Sequence, residues 1–182
     1  MSALVVALVG TDHHPFSRMV AWVDAAAARH PDVRFLIQHG SASRPPVLAE
    51  GHEFLTHDRL AGLLAEATGV ICHGGPGTIL DARDAGHVPM CVPRDPRLGE
   101  HVDGHQQRFA ETVGRSGVVQ VIGTLEELFD RLEHTLAHGP TRDGVSPATR
   151  VRDSARARLA VELDELITMR PHRLSRRPRV AL

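Results

Sequence analysis

The sequence contains no lysine and no tyrosine, a single tryptophan (Trp22) and only two cysteines. Without lysine there can be no Walker-type phosphate loop, whose last turn needs one. With aromatics at 3%, there is no set of exposed rings on which unpaired bases could stack, which argues against a single-stranded nucleic-acid binder. Two cysteines cannot staple a disulfide scaffold. Cys72 and Cys91 both lie in apolar runs and are expected as buried free thiols, which suits a reducing cytoplasm. No apolar run approaches the ~20 residues of a membrane span, and with no basic n-region at the start no signal peptide is expected. No charge of one sign dominates either: the net charge is −1. The distribution is uneven, however. Residues 1–169 hold 16 Arg against 22 acids, whereas residues 170–182 hold five Arg (Arg170, Arg173, Arg176, Arg177 and Arg179) and no acid. Only that tail is basic, so a DNA- or RNA-binding module has the least support and no nucleic-acid partner is expected.

What is present is a chain of 182 residues, 42% hydrophobic, enough for one globular domain with a real core and too short for two full α/β domains. Short apolar runs alternate with helical periodicity. Strands are expected at Leu4–Val9, Arg34–Gln38, Glu53–Thr56, Gly69–Cys72, Val88–Val92 and Val118–Ile122. Between them lie helical patterns: Phe16, Met19, Val20 and Val23, with Pro15 in the first turn; Leu60, Leu63, Leu64 and Ala67, capped by Asp58; a small-residue helix to about Gly86; and Phe109, Ala110 and Val113. Thr124-x-x-Glu127 is a capping box ahead of Leu125, Leu128, Phe129, Leu132 and Leu136. A linker over 138–147 leads to a last helix near 148–169. Such alternation predicts an α/β, Rossmann-like parallel sheet of about six strands with helices on both faces. The expected organisation is one Rossmann-like domain over 1–145, a C-terminal helix over 146–169 and an arginine-rich tail over 170–182. Ligands of such sheets bind on the loops leaving the carboxyl ends of the strands. The loops 10–15, 73–78 and 93–105 should meet there.

His73-Gly74-Gly75-Pro76-Gly77-Thr78 follows a strand and opens a helix. Glycines permit a sharp turn and close approach of N–H groups to an anion, and the helix start adds partial positive charge. Thr78 can donate a hydroxyl and His73 a ring N–H. The loop is either a phosphate or diphosphate cradle, or a tight strand–helix turn with nothing bound; G-x-G-x-x-G spacing is absent. Asp81, one turn on, either accepts the hydroxyls of a ribose or complements the helix dipole. His101-x-x-x-His105 has metal-ligand spacing. But Asp103 and Gly104 should begin the helix and leave His101 outside it, no second ligand pair is evident, and the thirteen histidines are scattered along the chain, so no metal is expected.

Taken together, His73–Thr78, Asp81 and His105-Gln106 resemble the nucleotide-sugar signature of GT-B glycosyltransferases, in particular the family 28 C-terminal domain. Gly10-Thr11-Asp12-His13-His14-Pro15-Phe16 and Leu98–Gln106 are similar to the stand-alone small subunits of two-subunit bacterial polysaccharide glycosyltransferases. They are similar too to the soluble subunit of the dolichol-linked N-acetylglucosaminyltransferase. The resemblance covers roughly residues 4–137. It implies the C-terminal half of a GT-B fold and an inverting transfer from a UDP-sugar substrate, with no cofactor or metal. His73 and Thr78 would meet the diphosphate, with Gly74, Gly75 and Gly77 allowing approach and Gly10 and Thr11 bordering it. Asp81, where many relatives carry Glu, would hold the ribose. Gln106 and His105 would touch the donor sugar, and 54–58 would pass the uracil. His13 and His14 are the candidate catalytic bases, or alternatively cap the helix or touch the diphosphate.

The resemblance further implies a membrane-anchored partner that binds a lipid-linked acceptor, and a cytoplasmic chain recruited to the inner face of the membrane. The C-terminal helix and tail would dock to that partner or to anionic lipid, or would be a solvated helix with a frayed end. Two other functions stand beside this one: a non-catalytic nucleotide-binding regulatory subunit, and a UDP-sugar epimerase-like enzyme.

Overall fold

A computed structural model describes residues 2–40 and 44–140. The linker beyond residue 140, the expected helix near 148–169 and the arginine-rich tail lie outside the described residues. The elements run β1 (Leu4–Leu8), α1 (Ser17–Arg29), β2 (Arg34–Gln38), β3 (Glu50–His52), α2 (His57–Glu66), β4 (Gly69–His73), α3 (Pro76–Asp84), β5 (Met90–Val92), α4 (His105–Arg115), β6 (Gln120–Val121) and α5 (Leu125–His138). All strand pairs are parallel and the sheet order is β3-β2-β1-β4-β5-β6.

The period-two side-chain alternation of a strand divides the core. In β1 and its continuation, Val5, Ala7 and Val9 face a cluster with Phe16, Met19, Val20 and Val23 of the α1 region and Leu128 and Leu132 of α5. Leu4, Val6 and Leu8 face the opposite layer, with Leu64 of α2 and Ala82 of α3. Cys72 and Cys91 join Ile79 and Ala110 under α3 and α4, as free buried thiols. Helices therefore cover both faces, and central strands buried on both sides read as continuous apolar runs.

Several expectations change in detail: β5 is Met90–Val92 rather than Val88–Val92, and β6 is Gln120–Val121 rather than Val118–Ile122. The third strand is Glu50–His52, not Glu53–Thr56. It pairs Leu36↔Glu50 through Gln38↔His52 at the sheet margin, where one side faces solvent and no apolar signature is required. The α2 cap is Thr56, whose hydroxyl accepts from the Arg59 N–H at 3.4 Å; Asp58 falls in the first turn. Pro15 precedes α1 rather than opening it, because the helix begins at Ser17. The Thr124–Glu127 capping box is present with both hydrogen bonds made.

Leu128 is fully buried in the larger cluster. Leu128→Ala should destabilise the fold by about 2–5 kcal/mol, read as a lower urea midpoint at unchanged m-value.

Candidate functional site

The sheet order reverses between β1 and β4, which leave in opposite directions to α1 and toward α3. That divergence opens a crevice at their carboxyl ends. The strand ends deliver Gly10 from β1 and His73 from β4 into it. Gly10 has φ +83°, a conformation that favours glycine. A Cβ there would lie 2.5 Å from His73 Cε1, and a Cβ on Gly75 would lie 2.2 Å from His73 Nε2. The imidazole is thus wedged between two glycines and no larger residue fits at either position. Gly74 is tight for another reason: its Cβ would meet the Cβ and carbonyl of Gln106 at 3.0 Å. That contact seats the start of α4 on the glycine loop.

Burial pushes His73 down to about 4, and the positive charge of Arg94 adds to this; the Leu8 carbonyl and Asp12 oppose it. The ring is therefore neutral near pH 7. Among the described residues its Nδ1 is buried without a hydrogen-bond partner, as is Oε1 of Gln106. A buried polar atom without a partner costs free energy, and here two such atoms flank one loop. Beside them, α3 begins at Gly75 with no side-chain cap and no acid in its first turn, and Pro76 occupies the first helical position. The helix start thus keeps its positive end unneutralised. Nothing lies within 4 Å of a Cβ placed on Gly77, so that side is open. Thr78 and Asp81 are partly exposed and one turn apart on α3. Among the described residues neither side chain has a hydrogen-bond partner.

The other two loops bring histidines that the sequence separates. Asp12 Oδ1 accepts from the His14 N–H at 2.8 Å and stands 2.6 Å from His14 Nδ1, while its Oδ2 lies 3.2 Å from His101 Nε2. Partial burial works against ionisation of Asp12. The His14 amide and ring, with Arg94 and His101, outweigh it and hold the carboxyl at about 2. His13, His14, His101 and His105 form a row, with successive ring centroids 4.1, 5.6 and 4.6 Å apart. The histidines are scattered in sequence but not in space, and two groups among the described residues have ligand atoms close enough to hold a cation: Asp12–His13–His14 and His101–Asp103–His105. His105 opens α4, its ring paired with Asp103.

The structure therefore brings together Gly10, His73, Gly74, Gly75 and Gln106 in contact, with Gly77, Thr78 and Asp81 along the adjoining helix. Thr11 is exposed on the first loop, and His13 and His14 stand on the same edge. Sequence reading missed Asp12 as the orienting partner of His14. It also missed Arg94, a buried arginine whose only linear signal is a charge placed two residues past an apolar strand.

The sequence matches the glycosyltransferase family 28 C-terminal domain over residues 4–161. Among solved structures, the fold is similar to CalG4, the calicheamicin glycosyltransferase, at 20% identity and TM-score 0.58, over 93% of this chain and 43% of that one. It is similar also to the spinosyn forosaminyltransferase SpnP at 16% identity and TM-score 0.57, over 92% of this chain and 44% of that one. A third similar structure is the glycotransferase of kitacinnamycin, at 22% identity and TM-score 0.55, over 90% of this chain and 43% of that one. The chain spans less than half the length of each, matching the C-terminal half of the GT-B fold. No curated protein sequence matches it.

The two glycines of the loop should respond differently to one methyl group. Gly75→Ala should displace the His73 ring and destabilise by about 1–3 kcal/mol, whereas Gly77→Ala should leave thermal stability unchanged or slightly higher. The acid response has a definite sign. Because burial holds His73 at about 4, below its ordinary 6.5, its contribution to stability is complete above about pH 6.5 and is lost as the pH falls toward 4. Urea unfolding between pH 7 and 4.5 should therefore show a larger loss in the wild type than in His73→Gln.

Proposed function

Because the chain belongs to the glycosyltransferase family 28 C-terminal domain family, we propose that its carboxyl sheet edge is the donor site of an inverting, UDP-sugar-dependent glycosyltransferase. The observation that carries this is the pairing of two buried, unpartnered polar atoms, His73 Nδ1 and Gln106 Oε1, with an uncapped helix start one loop away. A diphosphate at Gly75–Thr78 would receive main-chain N–H groups and the Thr78 hydroxyl, with neutral His73 beside it as an uncharged donor. Asp81 would accept the ribose hydroxyls, and residues 54–58 would border the base. Gln106 would meet the sugar, with His105 at its edge and Gly10 and Thr11 closing the near side.

In the reaction, the acceptor hydroxyl oxygen attacks the anomeric carbon as the bond from that carbon to the diphosphate oxygen breaks. The electron pair leaves with the diphosphate, and the amides and dipole of α3 stabilise that charge. The acceptor proton goes to a base on the same edge. His14 suits this role better than His13, because ionised Asp12 holds His14 Nδ1 and leaves Nε2 to take the proton. This chemistry requires no metal, since helix and loop donors take the metal's place.

A GT-B active site lies between two domains, and this chain corresponds to one. The complementary half, in this proposal, is a membrane-anchored subunit presenting a lipid-linked acceptor, with the present chain recruited to the inner face of the membrane. No described helix is long and apolar enough to cross a membrane.

Calorimetry with UDP tests the site. The wild type should bind, and His73→Ala and Asp81→Ala should each weaken binding by about 1–3 kcal/mol. Unchanged affinity in both variants removes those assignments. The chain alone should transfer little sugar; robust transfer to a soluble acceptor without a partner excludes the two-subunit arrangement. Binding without transfer, even beside the partner, marks a regulatory subunit instead.

A further inference from the structure

Arg94 follows β5 directly after Pro93 and is fully buried. Its guanidinium makes three hydrogen bonds, all to main-chain carbonyls. Nη1 donates to His14 O at 2.8 Å and to Glu100 O at 2.9 Å, and Nη2 donates to Val9 O at 2.9 Å. Its Cζ lies over the Phe16 ring, 4.7 Å from the centroid. Two of the accepting carbonyls belong to the loop after β1, and the third to the loop after β5. Among the described residues no carboxylate receives a hydrogen bond from Arg94; Asp12 and Glu100 balance its charge only from nearby. The Glu100 carboxylate is engaged elsewhere. It accepts from Arg18 Nε and Nη2 at 2.9 and 2.8 Å and from the Asp95 N–H at 2.8 Å.

We propose that Arg94 is the positioning residue of this edge: its planar fork latches the β1 and β5 loops together and sets His14 on one against His101–Gln106 on the other. This rests on the donor-site reading given above, for its consequence if not for its geometry. A buried cation without a directly bonded counter-ion is an expensive way to fill space. An apolar side chain would pack against Phe16 at lower cost but could not accept or donate across the gap. Lysine would keep the charge, yet its single nitrogen does not reproduce a rigid fork aimed at three carbonyls. The arrangement even leaves Arg94 Nε buried without a partner, so the orientation of the other two nitrogens outweighs full satisfaction. The Arg18–Glu100 pair then fastens the β5 loop to α1, so both loops are referred to one helix.

The charge of Arg94 also adds to the burial that lowers His73, so comparing a variant that keeps the charge with one that removes it separates the electrostatic contribution from loosened packing. The experiment uses the full chain as wild type, Arg94→Lys and Arg94→Met, with amide hydrogen exchange and NMR titration of the His73 ring in the free protein, and calorimetry with UDP. Arg94→Lys keeps the charge and loses the fork. Exchange across 10–14 and 100–105 should quicken by about tenfold and UDP affinity should fall by about tenfold, while the His73 titration stays in place. Arg94→Met should add an upward move of the His73 titration. Unchanged exchange in both segments of a folded Arg94→Lys protein overturns the latch. A folded Arg94→Met protein whose His73 titration stays in place removes the link to His73. If Arg94→Met does not fold, Arg94→Lys decides alone. Failure of the wild type to bind UDP would remove the donor reading, and the exchange measurement would still decide the latch.

Discussion

An imidazole pressed between two glycines at the reversal point of a parallel sheet is the constraint from which the rest of this edge follows. β1 and β4 are neighbours whose connections depart to opposite faces, so their ends leave a gap. His73 fills the gap, and it does so only because positions 10 and 75 carry no Cβ. Once the ring is there, burial keeps it neutral and a ring nitrogen is left without a partner. A well-packed apolar residue would make a more stable fold. The cost of a desolvated, unpaired donor or acceptor is of order 1–3 kcal/mol, and it falls beside the uncapped start of α3. Stability is conceded locally where a ligand could restore it.

The three loops around that crevice would be unconstrained if left to their backbones, since each runs out from a strand end toward solvent. They are tied by charge instead. Arg94 holds carbonyls from two loops, Glu100 holds Arg18 and the Asp95 amide, and Asp12 reaches both the His14 ring and His101. Half of these bonds run between side chain and main chain, and such bonds fix where a loop goes. Gly74 completes the frame by letting Gln106 pack directly on the glycine loop.

Much of this was readable from residues. Strands buried on both faces announce themselves as apolar runs, so β1, β2 and β4 were found closely, and Thr124 with Glu127 marks a helix start by hydrogen bonds internal to four residues. The glycine loop was legible because its geometry demands small residues at Gly74 and Gly75. What could not be read depends on partners distant in sequence. β3 is Glu-Gly-His at a solvent-facing edge, where hydrogen bonding to β2 makes the strand and no side-chain pattern need record it. His13 and His14 lie almost 90 residues from His101, and only the parallel topology lays their loops side by side. Arg94 is the extreme case. A charged residue defaults to the surface in any linear reading, and nothing within ten residues shows that its three acceptors are carbonyls, two of them from the other end of the domain.

The placement of Arg94 also bears on how such a site treats a dianion. A cation in direct contact with the diphosphate would bind it strongly before as well as after the sugar leaves, and interactions equal in both states lower the substrate's energy as much as the transition state's. Here the cation is buried behind the loops with its hydrogen bonds committed to main chain, and the groups placed to meet a diphosphate are dipoles: amides, a hydroxyl and a neutral imidazole. Dipoles fixed by the fold respond most to charge that develops at one position, which is where a breaking glycosyl–diphosphate bond places it. In the proposed donor site, the same neutrality of His73 that burial enforces would keep the leaving group from being held too well.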